Sequence, residues 1–224
     1  MTFSLVARCA ETGMFGVAVS SSSPCVAARC AYARGGVGAV ASQNVTDPTL
    51  GTRGLDLMEM GASASEAVAI LRATGTFSEY RQVLAVDQQG ATAIGSGAQI
   101  LGTWAQATSQ DVAAAGNLLA DSGVPQAMVD GFLRTDGHIG DRLMAAMRAA
   151  LAAGGEAGPV RSAGMRLVDQ VSWPVADLRV DWTEECPIEA LGTVWEVYKP
   201  QLNDYVTRAL NPEAAPSYGV PGDA

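Results

Sequence analysis

Histidine and lysine are almost missing from this chain: His138 and Lys199 are the only examples among 224 residues. Any Ser-His-Asp or Cys-His enzyme would have to use His138. That residue sits in Asp136-Gly137-His138-Ile139-Gly140-Asp141, where the start of a helix is expected. A phosphate-binding loop built on lysine is not available, and 13 scattered arginines against a net charge of -9 provide no groove for nucleic acid. No apolar run approaches the roughly 18 to 20 residues of a membrane span, and no leader pattern precedes the first strand, so a cytoplasmic chain without membrane partners is expected. Cysteine is scarce too. Cys9, Cys25, Cys30 and Cys186 form no CxxC pair and no ligand spacing, so neither a disulfide framework nor a structural metal is expected, and no cofactor motif is found. GxGxxG is absent after the first strand; Gly35-Gly36-Val37-Gly38 has the wrong spacing.

What the chain does contain is hydrophobic material, 48% of its residues, ample for one large core. The domain is placed at residues 1–210, and residues 211–224, rich in Pro, Gly and small polar residues, are expected to form a disordered tail. Phe3, Leu5 and Ala7 alternate with Ser4, Val6 and Arg8, the period of a strand that begins at Thr2. Glu11-Thr12-Gly13 is a turn, and Met14 to Ser21 alternates again, which makes a hairpin. Pairing Cys9 with Met14 sets partner numbers that sum to 23 and brings Ser21 opposite Thr2; a shift of one turn residue would bring Ser23 there instead.

Gly36 to Asn44 reads as a buried strand whose polar end, Gln43-Asn44, is expected at a rim. A helix from Pro48 to Met60 stops at Gly61, and Ser63-Ala64-Ser65-Glu66 is a capping box for the next, to about Ala73. Arg81 to Asp87 and Ala91 to Ser96 form a second hairpin; Val112 to Leu119 is a further strand carrying Asn117. Helices follow at Ser122 to Leu133 and Ile139 to about Ala153, then strands at Arg161 to Val168 and Leu178 to Trp182. A last helix starts at Pro187 and is broken or kinked by Pro200 before Leu210. Seven or eight strands in hairpins, with helices in pairs between them, suit an α+β fold of antiparallel sheets covered by helical layers.

Taken in order, Thr2-Phe3-Ser4-Leu5-Val6-Ala7-Arg8, Gly16-Val17-Ala18-Val19-Ser20-Ser21, Gly36 to Gln43, Gly51-Thr52-Arg53-Gly54-Leu55, Gly116-Asn117-Leu118-Leu119, Asp141-Arg142-Leu143, Gly154-Gly155 and Arg161-Ser162-Ala163 resemble a bacterial family of N-terminal-nucleophile (Ntn) hydrolase-like proteins catalogued as a domain of unknown function. The resemblance implies a four-layer αββα sandwich of two antiparallel sheets, with the nucleophile at the start of a central strand, where Thr2 stands. The run Ser21-Ser22-Ser23-Pro24 departs from the family pattern of an arginine or bulkier residues, so a smaller and more polar pocket is expected beside Thr2.

Removal of Met1 would leave Thr2 with a hydroxyl nucleophile and a free α-amine of ordinary pKa about 7.7 to 8.0, a base near working pH. The expected activity is hydrolysis of a small or non-peptide amide C–N bond through an acyl-enzyme. Thr2, Ser21 and Asn117 are the expected catalytic residues, Ser21 orienting the amine and Asn117 donating to the oxyanion. Ser22, Ser23, Arg34, Gln43, Asn44 and Arg53 are the expected substrate-binding residues, the arginines through a carboxylate. The alternative is a non-catalytic module on the same fold that binds a small molecule or a protein. A second rival is a thiol enzyme using Cys25 or Cys30 with His138. A homo-oligomer is an expected partner state, through the aromatic-bearing final helix.

Overall fold

The computed structural model describes residues 1–220. Ten strands divide between two antiparallel sheets. The larger has the order β10-β9-β2-β1-β8-β7 and the smaller the order β3-β4-β5-β6. The strands of the large sheet are β1 (Thr2–Arg8), β2 (Phe15–Ser21), β7 (Ala105–Ser109), β8 (Val112–Asn117), β9 (Ser162–Val168) and β10 (Ala176–Val180). Those of the small sheet are β3 (Ala31–Arg34), β4 (Gly38–Asn44), β5 (Arg81–Asp87) and β6 (Thr92–Ser96). Helices α4 (Val124–Arg134), α5 (Ile139–Ala152) and α6 (Pro187–Tyr198) cover the outer face of the large sheet, and α2 (Thr49–Glu59) and α3 (Ala64–Thr74) cover that of the small one. These four layers, helices, sheet, sheet and helices, make the αββα sandwich that the family resemblance implies.

Each layer boundary has its own apolar core. Phe3, Leu5 and Ala7 pack outward against Leu143, Met147 and Phe132 of α5 and α4. Val6, Phe15, Val17, Val19, Ala39, Ala41, Leu84, Val86, Ala113 and Ala115 meet between the sheets. Residues two apart on a strand share a face. So Thr2, Ser4 and Val6 point between the sheets while Phe3 and Leu5 point to the helices. Strand β1 is therefore buried on both sides, each large apolar side chain contributing roughly 1.5 to 3 kcal/mol.

The β1–β2 register matches the expected sum of 23: Phe3 pairs with Ser20 and Arg8 with Phe15. Gly13, at φ +76°, supplies the left-handed residue of the turn. The capping box forms as expected, Ser63 Oγ accepting from the Glu66 N–H and Glu66 Oε2 from the Ser63 N–H. After α6, Lys199–Gln201 is a short 3-10 turn containing Pro200, and α7 (Leu202–Leu210) resumes beyond it.

Two places hold elements beyond those expected. The stretch before Arg34 holds a four-residue helix, α1 (Ala27–Cys30), running straight into strand β3. Strand β7 forms at the edge of the large sheet, where only Ala107 is buried. Beyond Asn211, where the tail is expected, Pro212–Ala214 makes a 3-10 turn, and Arg208 Nη2 donates to the carbonyls of Pro216 and Ser217 at 3.0 and 3.1 Å. Residues 221–224 of that expectation lie outside the described residues. No helix among the described residues is long and apolar enough to cross a membrane.

Candidate active site

The inter-sheet layer changes character along its length. It is apolar toward Arg8 and polar toward Thr2. At the polar end, Thr2 lies beside Asn117 of β8 in the sheet register, and the sum-23 register places Ser21 of β2 on its other side. Ser162 of β9 follows next to Ser21. Four strands thus align Asn117, Thr2, Ser21 and Ser162 in one row, all on the inner face and all at least nine-tenths buried.

The contacts in this row are specific. Thr2 Oγ1 and Ser21 Oγ are 3.3 Å apart, and both hydroxyls donate to the carbonyl of Met1. Ser21 Oγ in turn accepts from the Ser23 N–H at 3.0 Å. Ser162 Oγ donates to the Ser23 carbonyl at 2.6 Å and accepts from the Val26 N–H at 3.2 Å, which pins the serine loop against β9. Asn117 Nδ2 is buried without a hydrogen-bond partner. An unpaired buried amide donor is costly, of order 1 to 3 kcal/mol.

Behind Thr2 the two sheets are joined by side chains. Ser4 Oγ donates to Gln43 Oε1 at 2.6 Å; Gln43 Nε2 donates to Gln82 Oε1 at 2.7 Å and to the Ala115 carbonyl at 3.1 Å. Gln82 Nε2 continues to Ser96 Oγ at 3.1 Å, and Ser96 Oγ to Gln106 Oε1 at 2.8 Å. Gln43 is fully buried. It is therefore an inter-sheet clamp and not a rim residue: the second sheet covers the end of β4 that an isolated strand would present to solvent. Asn44, at φ +72°, donates through Nδ2 to the Tyr80 carbonyl and accepts from the Leu101 N–H, so it serves the turn and has no free amide for a substrate.

The arginines do not reach Thr2. Arg34 ends β3 at the opposite end of the sheet from Gln43 and pairs with Asp56 and Glu59 at 2.8 and 2.7 Å. Arg53, in the outer helical layer, donates to Thr74 Oγ1 at 2.9 Å. Ser22 and Ser23 do border the site, but the contacts they make there run through their backbones. The thiol dyad is not assembled. Cys30 is buried between the sheets, where burial pushes its thiol up, whereas His138 caps α5 on the outer side, its Nδ1 accepting from the Gly140 N–H at 3.1 Å. Among the described residues no group of three or more His, Cys, Asp or Glu side chains is placed to hold a metal. A cavity of about 470 Å³, lined by Cys9, Thr12, His138 and Arg142 among others, is at the far end of β1 from Thr2.

One site residue escaped the sequence reading. Glu156 is 5% exposed, and both its carboxylate oxygens accept from the Ser22 N–H, at 3.2 and 3.1 Å. Gly154 and Gly155, at φ +109° and +60°, turn the chain sharply after α5, and Glu156 then bridges Leu119, two residues past Asn117. Burial raises its pKa to about 7, against the opposing pull of the Met1 α-amine and the Ser22 hydrogen bonds. The double glycine was the one available signal, and it announces a turn without saying which residue the turn buries.

A stability test follows from that carboxyl. A carboxyl whose pKa is raised by folding keeps its proton where the unfolded chain has lost it, so it penalises the fold increasingly as pH rises from 4.5 to about 7 and constantly above that. Glu156→Gln is expected to flatten this dependence and to be more stable than the wild type at pH 8 by about 2 to 3 kcal/mol. Urea unfolding at pH 5, 6 and 8 measures it. Equal slopes for both proteins would remove the inferred burial of charge.

Residues 2–191 match the protein-family model described as "Family of unknown function (DUF1028)". A solved structure from Silicibacter pomeroyi, described as a DUF1028 protein, is similar at 30% identity and a TM-score of 0.81, over 88% of this chain and 89% of that one. The Anbu (ancestral beta-subunit) structure from Yersinia bercovieri matches over 91% of this chain and 97% of its own, at 11% identity and a TM-score of 0.41. HslV from Trypanosoma brucei matches over 76% of this chain and 100% of its own, at 13% identity and a TM-score of 0.40. No curated protein sequence matches.

Proposed function

Because the chain belongs to the DUF1028 family, whose description assigns no activity, its chemistry has to be argued from the row around Thr2, and we propose that it is an Ntn-type amidohydrolase acting on a small amide. The observation that carries this reading is the row itself. A hydroxyl at the first strand position lies between a second hydroxyl 3.3 Å away and a buried amide donor with no partner.

Once Met1 is removed, the α-amine of Thr2 takes the proton from Thr2 Oγ as that oxygen attacks the substrate carbonyl carbon. The tetrahedral oxyanion is stabilised by Asn117 Nδ2. The C–N bond then breaks, the proton passes from the α-ammonium to the departing amine, and an acyl ester remains on Thr2. Water, deprotonated by the same amine, releases the carboxylic acid and restores the hydroxyl. Ser21 Oγ, beside Thr2 Oγ1, steers the hydroxyl and the amine.

Intact mass tests the proposal. Purified untagged protein incubated with small activated amides and lactam-type acylating probes is expected to lack one methionine and to carry one probe adduct on Thr2. Retention of Met1 with no adduct would leave the α-amine blocked, and the non-catalytic binding module on the same fold would take its place. For the oxyanion role, Asn117→Ala is expected to lower kcat about 10²- to 10³-fold. Its thermal midpoint should stay near wild type, since the side-chain nitrogen has no partner to lose. A loss seen only in the midpoint would make Asn117 structural.

A further inference from the structure

Met1 is attached to Thr2 as an acyl group is attached to an amine, so its contacts report what an acyl group meets at this place. Its carbonyl oxygen accepts from both Thr2 Oγ1 and Ser21 Oγ. Its thioether chain lies over Gly158, where an added Cβ would come within 3.3 Å of Met1 Cε. Glu156 is the buried carboxyl beside this group, held by the Ser22 N–H one residue beyond Ser21 and bridged to Leu119 beyond Asn117. The Met1 α-amine is the charged group that acts most strongly on that carboxyl.

A buried carboxyl that accepts from a single backbone N–H has acceptor capacity left over. Arg34 and Arg53 are both engaged with other partners, Arg34 with Asp56 and Glu59 and Arg53 with Thr74. With Met1 gone, the space over Gly158 is open and the Met1 amine no longer acts on Glu156. An acyl group on Thr2 Oγ hangs from the same residue as Met1 did, three bonds along the Thr2 skeleton, so it draws on the same surroundings.

We infer that the volume filled by Met1 is the acyl pocket and that Glu156 recognises a primary amine on the carbon next to the substrate carbonyl. The substrate class is then amides of α-amino acids with a free amine, including the first peptide bond of a short peptide. The inference rests on the Thr2 reading for the fate of the bound ligand, but not for its binding. The side chain over Gly158 sets the preference for a slender, unbranched residue such as methionine. Gly158→Ala would narrow the pocket.

Binding to an inactive chain separates the two claims. Thr2→Ala protein is released from a cleavable N-terminal fusion so that it begins at residue 2, and calorimetry at pH 8 compares L-methioninamide, N-acetyl-L-methioninamide and 4-(methylthio)butanamide, which lacks the amine. L-methioninamide is expected to bind at least tenfold tighter than either of the others. In the Thr2→Ala/Glu156→Gln protein the three should fall within about twofold of one another. Equal binding of the three to the Thr2→Ala protein, or no binding of L-methioninamide, overturns the inference, and this comparison needs no folded Glu156 variant. A preference that survives Glu156→Gln overturns the assignment to Glu156. If Glu156 instead pairs only with the freed Thr2 α-amine, the preference for the amine-bearing ligand will be missing from the start. Selective binding without an acyl-enzyme in the wild type would uphold the pocket and sink the hydrolase.

Discussion

Thr2→Ala is expected to abolish acyl-enzyme formation and to lower kcat by about 10⁴-fold or more, the scale seen when a covalent nucleophile is removed. Alanine is small enough for Met1 still to be removed, so the α-amine survives and only the hydroxyl is lost. The fold should survive as well. Thr2 is 6% exposed and its side chain bonds only to Ser21 and the Met1 carbonyl, one of which disappears on processing. Thr2→Ser is the control that keeps the nucleophile, and it should form the same adduct. Stopped-flow turnover of an activated amide together with intact mass makes the measurement. Undiminished turnover in Thr2→Ala would place the chemistry elsewhere in the chain.

The second large effect is on stability. Gln43→Leu is expected to destabilise the protein by about 2 to 5 kcal/mol, because it leaves two buried groups unpaired at roughly 1 to 3 kcal/mol each, Ser4 Oγ and Gln82 Oε1, and takes a second donor from the Ala115 carbonyl. For a chain of this size that lowers the midpoint by about 10 °C. Leucine has nearly the same volume, so a cavity contributes little. Gln43→Leu combined with Gln82→Leu should cost less than the two single changes added together, by about 1 to 3 kcal/mol, since removing both partners strands fewer groups. Differential scanning calorimetry on the four proteins closes the cycle. A cost for Gln43→Leu below about 1 kcal/mol would mean that the buried amides are not carrying the contact between the sheets.

The two effects concern neighbouring atoms with different duties. Ser4 is two residues from Thr2 on the same face of β1, and Gln43 holds Ser4 and, through Ala115, the strand that carries Asn117. A Gln43 variant that still folds should therefore lose activity through geometry. Small displacements of a nucleophile or an oxyanion donor are expensive in rate.

Much of this arrangement was legible residue by residue. The turn Glu11-Thr12-Gly13 sets the hairpin register by local geometry alone, and the register carries Ser21 to Thr2. Ser63 and Glu66 announce the start of α3 because capping is a contact within four residues. Strand β3 was hidden by the four-residue helix before it, and β7 by an edge position that buries one residue of five. Gln43 misled for a physical reason: a polar residue ending an apolar strand is normally at a solvent rim, and only the sheet stacked above it makes the same residue a clamp.

By itself, then, the sequence determined the α+β class, the paired helices, the hairpin with its register narrowed to two choices, and the place of Thr2 at the head of a strand, all of which depend on periodicity or on neighbours a few residues apart. Only the tertiary structure decided that Asn117 stands beside Thr2 with its amide unpaired, that Arg34 and Arg53 are spent on partners elsewhere, and that Glu156 is buried beside Met1. The Asn117 and Glu156 contacts join segments more than a hundred residues apart and those of the arginines segments more than twenty apart, all brought together by the packing of sheets and helices, and the desolvation that gives Glu156 its character exists only once that packing is complete.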